Sequence, residues 1–246
     1  MRVVKDVSYG RLDEQKLDIY LPDCESFPVF LYFHGGGIEH GSKDSESEVR
    51  IGEYLASHGV SCVSANYRMY PTAVYPEFIR DAAMAAAWVK EHIAEYGGNG
   101  GIYLGGSSAG GYLSMMLCFD KKYLVPYKLA PVDFTGFIHD AGQPTTHFNV
   151  LRERGIDSRR VIVDEAAPLY HVCAEEEYPP MHFIVSDDDM AGRYEQTMLM
   201  LATLRHFDHE AVTYRIMNGT HCAYVGAVDE NGESVFGKMV YDYIVK

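Results

Sequence analysis

Cysteine is scarce in this chain and is never arranged in pairs. The 246 residues include five cysteines, an odd number, and none of them forms a Cys-x-x-Cys motif. Zinc sites and disulfide frameworks depend on such pairs, so the sequence predicts no metal site and no disulfide bonds. Free thiols are typical of a reducing compartment, and we therefore expect a cytoplasmic protein.

The chain also lacks the long apolar segments that span a membrane. No run of apolar residues approaches the roughly 18 residues of a transmembrane helix. The first residues, Met1–Asp6, include three charged side chains, which is not the pattern of a secretory signal peptide. We expect neither a membrane span nor a cleaved leader.

Positively charged residues are few. There are 21 Lys and Arg residues against 35 Asp and Glu residues, and the formal net charge is −14. Nucleic acids and anionic membrane surfaces attract basic patches, so this balance argues against both as partners. A small molecule is the partner that the composition leaves open, and composition does not decide between a monomer and a homo-oligomer.

A glycine-rich turn lies near the middle of the chain, between an apolar strand-like run and a helix-like run. Its sequence, Gly106-Ser107-Ser108-Ala109-Gly110, has the pattern G-x-S-x-G. A phosphate-binding P-loop would need Lys and then Ser or Thr after the last glycine, and a dinucleotide fingerprint would need glycine in place of Ser107. The pattern instead predicts a nucleophile elbow, with Ser108 at the tip of a strained strand-to-helix turn.

Apolar runs of strand length alternate with runs of helix length from residue 28 onward. The pattern predicts strands at residues 3–9, 16–21, 28–34, 60–67, 102–106, 134–139, 181–186 and 212–217. It predicts helices at residues 49–58, 77–96, 112–119, 194–207 and 234–244. Such alternation is typical of an α/β fold with a mostly parallel central sheet, flanked by helices on both faces. We expect one domain over residues 1–246, with a short cap insertion at 140–166.

A serine nucleophile needs a base, because its hydroxyl is a weak nucleophile at neutral pH. Among the eleven histidines, His221 is the best placed, since it follows the predicted strand 212–217 in a turn. Ligand sites in parallel α/β sheets lie at the carboxyl ends of the strands. The base in turn needs an orienting carboxylate, and Asp187, Asp188 and Asp189 end the preceding strand. We select Asp189 as the acid, and Asp187 remains the alternative.

A second glycine motif follows the predicted strand 28–34. The residues His34 to Gly37 read HGGG, a motif whose backbone amides stabilise the oxyanion of acyl transfer. We expect the N–H groups of Gly36 and Gly37, together with that of Ala109 after the nucleophile, to form this oxyanion hole. The chain order of serine, acid and histidine is the order of the α/β-hydrolase fold.

Residues 140–166 interrupt the alternation of strands and helices. The segment is rich in arginine and long for a plain connection. It leaves the predicted sheet at the edge that carries the serine, where loops commonly determine specificity. We expect His147 and Phe148 to line a leaving-group pocket, because they combine a polar group with an aromatic ring.

These motifs resemble the esterase and lipase branch of the α/β-hydrolase superfamily, which is related to hormone-sensitive lipase and includes bacterial acetyl esterases. The resemblance spans residues 15–245 and includes the segments Asn66–Pro71 and Glu165–Leu169. It implies a cofactor-free carboxylic ester hydrolase with a Ser-Asp-His triad. Two features depart from the family pattern. Ser186 stands where the family often has glycine before the acid, and we expect no long N-terminal cap helix.

The sequence therefore predicts a serine carboxylesterase that hydrolyses short-chain, acetyl-type esters of sugars or aryl alcohols through an acyl-enzyme. Two enzymes with the same fold and triad stay open as alternatives, an arylformamidase and an aminopeptidase of the prolyl-oligopeptidase type. A dienelactone hydrolase would carry cysteine in place of Ser108. A non-enzymatic binder on this fold would typically have lost the serine or the histidine.

Overall fold

The computed structural model describes residues 1–246 of the chain. The strands are β1 (Arg2–Ser8), β2 (Lys16–Leu21), β3 (Phe27–Phe33), β4 (Ser61–Ala65), β5 (Gly98–Ser107), β6 (Gly136–Asp140), β7 (Met181–Asp188) and β8 (Val212–Thr220). The α-helices are α1 (Glu46–Ser57), α2 (Glu77–His92), α3 (Ala109–Phe119), α4 (Phe148–Glu153), α5 (Arg193–His206) and α6 (Val235–Ile244). Short 3₁₀ helices occupy parts of the connections.

All eight strands belong to one sheet in the order β1-β2-β4-β3-β5-β6-β7-β8. The strand β2 pairs antiparallel with β1 and β4, and every other neighbouring pair is parallel. Parallel neighbours bring the carboxyl ends of β5, β6, β7 and β8 to one edge of the sheet. The predicted α/β fold with a mostly parallel sheet is confirmed.

The inner strands are largely buried because helices cover both faces of the sheet. In β3, Leu31 and Phe33 join the cluster that contains residues of α2, α3 and α5. Phe30 and Tyr32, which alternate with them, join the cluster that contains residues of α1 and α6. This alternation follows from the two-residue repeat of a strand, which sends successive side chains to opposite faces.

The structure departs from the predicted elements mainly in two places. The predicted helix 77–96 is α-helical only to His92, and a 3₁₀ turn, Ile93–Tyr96, completes it before Gly97 at φ 107°. The helix α4 lies within residues 140–166 and is not among the predicted helices. Most side chains at residues 140–151 are buried, whereas those at residues 152–161 are mostly exposed. No helix has the length and apolar character needed to cross a membrane.

Candidate active site

The turn between β5 and α3 forces Ser108 into a backbone conformation that serine rarely adopts, with φ 55° and ψ −110°. The neighbouring glycines are needed because backbone approaches them closely. A Cβ atom at Gly110 would lie 1.8 Å from the carbonyl oxygen of Phe33, and one at Gly106 would lie 2.4 Å from the carbonyl carbon of Gly110. The Ser108 amide donates to the carbonyl of Asp140 at 2.8 Å, which ties the turn to the end of β6. The predicted elbow geometry is therefore present.

The structure brings Ser108, His221 and Asp189 into one hydrogen-bonded line. The Ser108 hydroxyl lies 2.8 Å from His221 Nε2, and His221 Nδ1 lies 2.5 Å from Asp189 Oδ1. The histidine side chain is 22% exposed and the Asp189 side chain is fully buried. With Nδ1 donating to the carboxylate, Nε2 is free to accept the serine proton.

Two more hydrogen bonds hold the Asp189 carboxylate. The amide of Met190 donates to Oδ1 at 2.7 Å, and the amide of Ser186 donates to Oδ2 at 3.3 Å. Burial raises the pKa of Asp189, but the hydrogen bond from His221 and these two amides more than offset it and leave the pKa below its ordinary value. The carboxylate is therefore charged at neutral pH and stabilises a protonated imidazole.

Asp187, the alternative acid, occupies a different place. Its carboxylate accepts a hydrogen bond from the Gly219 amide at 2.8 Å on the surface of the protein. Asp188 is also exposed. Asp189, three residues after Ser186, is thus the residue whose carboxylate reaches His221.

The HGGG segment forms a tight turn beside Ser108. Gly36 has φ 112° and Gly37 has φ 66°, and a Cβ atom at Gly36 would lie 1.9 Å from the His40 carbonyl oxygen. The Gly36 and Gly37 amides donate to no other group of the protein. Ala109 is the first residue of α3, where amides have no partner within the helix. These three N–H groups are therefore available to an oxyanion.

A cavity of about 510 Å³ lies over this arrangement. Its walls include Ser108, His221, the glycine turn and Phe148. His147, which we predicted beside Phe148 in the pocket wall, is not part of it. Its ring is buried beneath Phe148, and Nδ1 accepts a hydrogen bond from the Asn149 amide at the start of α4. The structure thus corrects the predicted place of His147, whose role here is to cap a helix.

A buried carboxyl group that sequence analysis did not identify lies below the site. Asp140 ends β6, is fully buried, and accepts a hydrogen bond from the Tyr224 hydroxyl. The Cys222 thiol lies 3.9 Å from its Oδ2. Burial raises the pKa of Asp140 to about 7, and the surrounding polar groups, among them Ser107 and Tyr224, offset only part of that increase. The sequence offered one signal for this residue, because Asp140 follows directly at the carboxyl end of an apolar run.

Asp140 gives the stability of the protein a specific pH dependence. The folded protein holds this proton up to about pH 7, whereas an unfolded aspartate loses it near its ordinary pKa of about 4. Between these two values the contribution to stability falls as pH rises, by up to about 1.4 kcal/mol per pH unit, and below pH ~4 it is fully present. Asparagine resembles the protonated carboxyl group at every pH.

We therefore expect Asp140→Asn to gain stability relative to the wild-type protein as the pH is raised from about 4.5 to 8. Urea unfolding of both proteins across this range measures the difference in the free energy of unfolding. Since other titrating groups are common to both proteins, only the difference between the two curves is informative. Parallel curves would show that Asp140 is already ionised in the folded protein at pH 5.

Nothing in the structure suggests a metal centre. No three His, Cys, Asp or Glu side chains are grouped so that they could hold a metal ion. The five cysteines are free thiols. That the chain works without a cofactor remains a prediction.

Comparison with known proteins finds similar sequences. The BD-FAE family model matches residues 17–125. Over 243 residues the chain is 28% identical to LipM of Mycobacterium tuberculosis, named a probable carboxylic ester hydrolase, covering 89% of this chain and 56% of that protein. It is 31% identical over 118 residues to kynurenine formamidase of Danio rerio, covering 47% of this chain and 39% of the relative. The chain thus spans about half or less of these curated relatives.

The fold also matches that of solved enzymes. Esterase B from Lactobacillus rhamnosis superimposes with a TM-score of 0.77 at 18% identity, over 99% of this chain and 85% of that one. With its mostly parallel sheet and flanking helices, the chain has the α/β-hydrolase fold. In sequence, the chain is similar to proteins that are named as carboxylic ester hydrolases and esterases.

Proposed function

We propose that the chain is a carboxylic ester hydrolase that works through a serine acyl-enzyme. The observation that carries this proposal is the hydrogen-bonded line from Ser108 through His221 to Asp189, next to the free amides of Gly36 and Gly37. A candidate base must lie within hydrogen-bond reach of the proton that it removes, and His221 does. Hydrolysis of 4-nitrophenyl acetate by the purified protein is the first test.

The proposed reaction has two halves. Ser108 Oγ attacks the ester carbonyl carbon while His221 Nε2 takes the hydroxyl proton, and the resulting oxyanion accepts hydrogen bonds from the Gly36, Gly37 and Ala109 amides. The intermediate collapses, the C–O bond to the alcohol breaks, and His221 returns the proton to the leaving alcohol. Water then attacks the acyl-enzyme with His221 again as base, and the carboxylic acid and free Ser108 are formed.

We propose short acyl groups, of acetyl type, as the preferred ones, on sugar or aryl alcohols. Most residues of the cavity wall are polar residues or glycine, among them Glu39, His40 and Ser47, and only five of the 19 are hydrophobic. The wall residue Phe148 supplies an aromatic surface suited to a sugar or aryl ring. Residues 140–166 are proposed as a small cap, because Asn149 Nδ2 donates to the carbonyl of Gly37 at 3.1 Å and so fixes α4 over the glycine turn.

Acyl chain length provides a direct test of this preference. We expect kcat/KM to be highest for acetyl to butyryl 4-nitrophenyl esters and to fall for longer chains. Each buried CH₂ group contributes about 0.8 kcal/mol, so a long apolar pocket would instead raise kcat/KM step by step. A continuous rise from C2 to C12 esters under conditions that exclude micelles would contradict the proposal.

One alternative has support of its own. A relative is named kynurenine formamidase, and an arylformamidase would use the same serine, histidine and oxyanion hole on an N-formyl group. Measuring kcat/KM for N-formylkynurenine beside aryl acetates distinguishes the two reactions, and aminoacyl amides test the prolyl-oligopeptidase-like alternative. Failure of all three substrate classes, with the fold intact, would favour a non-enzymatic binder. A cytoplasmic location and the state of assembly stay predictions.

A further inference from the structure

A second cavity adjoins the one that contains Ser108. It has a volume of about 370 Å³ and is bounded by the cap segment and the start of α5. Phe148 and Met190 line both cavities. These two side chains thus form the boundary between the cavities, and a substrate whose ester group sits at Ser108 would have to pass them to reach the second cavity.

The second cavity is basic in an otherwise acidic protein. Arg152, Arg159, Arg160 and Arg193 all line it, and no Asp or Glu side chain does. The chain as a whole has a net charge of −14 and only 21 Lys and Arg residues. By contrast, the wall of the first cavity includes two carboxylates. The positive charge is thus concentrated where an extended substrate would end.

The most informative of these side chains is Arg193, which is only 4% exposed. Its guanidinium donates to the Ala141 carbonyl and, at 3.3 Å, to Gln143 Oε1, both neutral groups. No carboxylate lies within ion-pair distance of it, and the acid that acts on it from farther away, Asp189, is already bound to His221. A buried charge without a counter-ion is strongly unfavourable unless something compensates for it.

The other three arginines differ in what they contact. Arg152 is paired with Glu39 and Arg159 with Asp157. Arg160 is exposed and forms no ion pair, although the charge of Asp157, which is paired with Arg159, acts on it from farther away. Neither Arg160 nor Arg193 therefore has a carboxylate within ion-pair distance.

We propose that the second cavity binds an anionic group, a carboxylate or a phosphate, on the alcohol part of the ester substrate. The inference rests on the proposed function, and the assignment to the alcohol follows from the small acyl group proposed above. Guanidinium groups suit this role because their planar donors match the oxygens of carboxylates and phosphates. The anion would supply the counter-ion that Arg193 lacks.

The experiment compares matched acetate esters that differ in charge. The substrates are 4-acetoxybenzoate, 4-acetoxyphenyl phosphate and the neutral 4-acetoxybenzamide, each assayed for kcat/KM with the wild-type protein. We expect at least one anionic ester to exceed the neutral ester by about tenfold, which corresponds to about 1.4 kcal/mol. The anionic ester with the higher kcat/KM identifies the bound group as a carboxylate or a phosphate. Equal kcat/KM for all three substrates would overturn the proposal.

Variants of the arginines test whether the preference for an anionic ester depends on the second cavity. Arg160→Gln should lower the ratio of anionic to neutral kcat/KM by about fivefold to tenfold. Arg154→Gln is the matched control, because Arg154 belongs to the same segment, pairs with Asp164 and does not line the cavity. An equal loss in both variants would show a general effect of charge and would also overturn the proposal.

Binding can be measured without turnover, which separates this inference from the proposed function. In the Ser108→Ala protein, 4-hydroxybenzoate and phenyl phosphate should bind more tightly than 4-hydroxybenzamide, as measured by calorimetry. The difference should shrink in 0.5 M NaCl, because salt screens the attraction. If none of the acetates is hydrolysed but the anions bind through Arg160, the esterase proposal fails and the anion site stands. Equal binding of all three compounds would contradict the proposed anion site and leave the proposed esterase activity unaffected.

Discussion

Ser108→Ala is expected to lower kcat for 4-nitrophenyl acetate by at least ~10³-fold, with the fold unchanged. The loss follows from the geometry, since Ser108 Oγ lies 2.8 Å from His221 Nε2 and no other hydroxyl is hydrogen-bonded to that nitrogen. Alanine removes the attacking atom and leaves the amides of the oxyanion hole in place. Some activity above that of water should therefore remain. Rate measurements with the purified variant, beside circular dichroism, check both parts.

The adjacent serine provides the control. Ser107 is buried, and its side chain does not contact His221 in the hydrogen-bond network of the site. We expect Ser107→Ala to retain the larger part of the wild-type kcat, and an organophosphate probe to label Ser108. A label that maps to Ser107 would mean that the turn presents the wrong hydroxyl in the structure.

Asp189→Asn is expected to lower kcat by ~10²–10⁴-fold, with a smaller change in KM. The carboxylate holds His221 with Nδ1 protonated and stabilises the imidazolium that forms during the reaction. An asparagine amide at this position can donate to Nδ1, which favours the tautomer that cannot accept the serine proton at Nε2. Steady-state kinetics on a small activated ester measures the effect.

Two neighbouring carboxylates serve as matched controls for this variant. Asp187 accepts from the Gly219 amide and Asp188 is exposed, so Asp187→Asn and Asp188→Asn should each change kcat by less than about tenfold. These variants alter the local charge in the same way as Asp189→Asn. If Asp187→Asn proves to be the inactive protein, the acid is two residues earlier and the loop after β7 is arranged differently.

Sequence patterns predicted the strands well because most of them are buried on both faces and read as short apolar runs. The G-x-S-x-G and HGGG motifs predicted where Ser108 and the glycine turn lie, since close backbone contacts admit only glycine there. The choice between Asp187 and Asp189 was harder, because three successive carboxylates carry no pattern that separates them. Their distances to His221 depend on how the chain turns after β7.

The features that sequence analysis misplaced or did not identify depend on tertiary contacts or are too short to show a repeat. His147 is polar and sits in an arginine-rich segment, features that favour the surface, yet its ring packs 5.0 Å from Tyr112 and caps α4. The helix α4 is only six residues long, too short for an apolar repeat to be visible. Asp140 belongs to no motif, and its environment is created by Tyr224 and Cys222, which are more than 80 residues away in the sequence. The position of Asp140 after an apolar run was its only local signal, because these tertiary contacts come from distant parts of the sequence.

The end of β6 offers a practical route to engineering this scaffold. The main chain of Asp140 holds the Ser108 amide, and its side chain holds Tyr224 in the loop that carries His221. One residue thus holds both the Ser108 turn and the loop of His221, and it precedes residues 152–163, which are mostly exposed. A graft that exchanges residues 152–163 for the loop of another protein with this fold would leave these two contacts of Asp140 in place. Libraries confined to that interval would therefore vary the wall of the second cavity without altering the contacts that position Ser108 and the loop of His221.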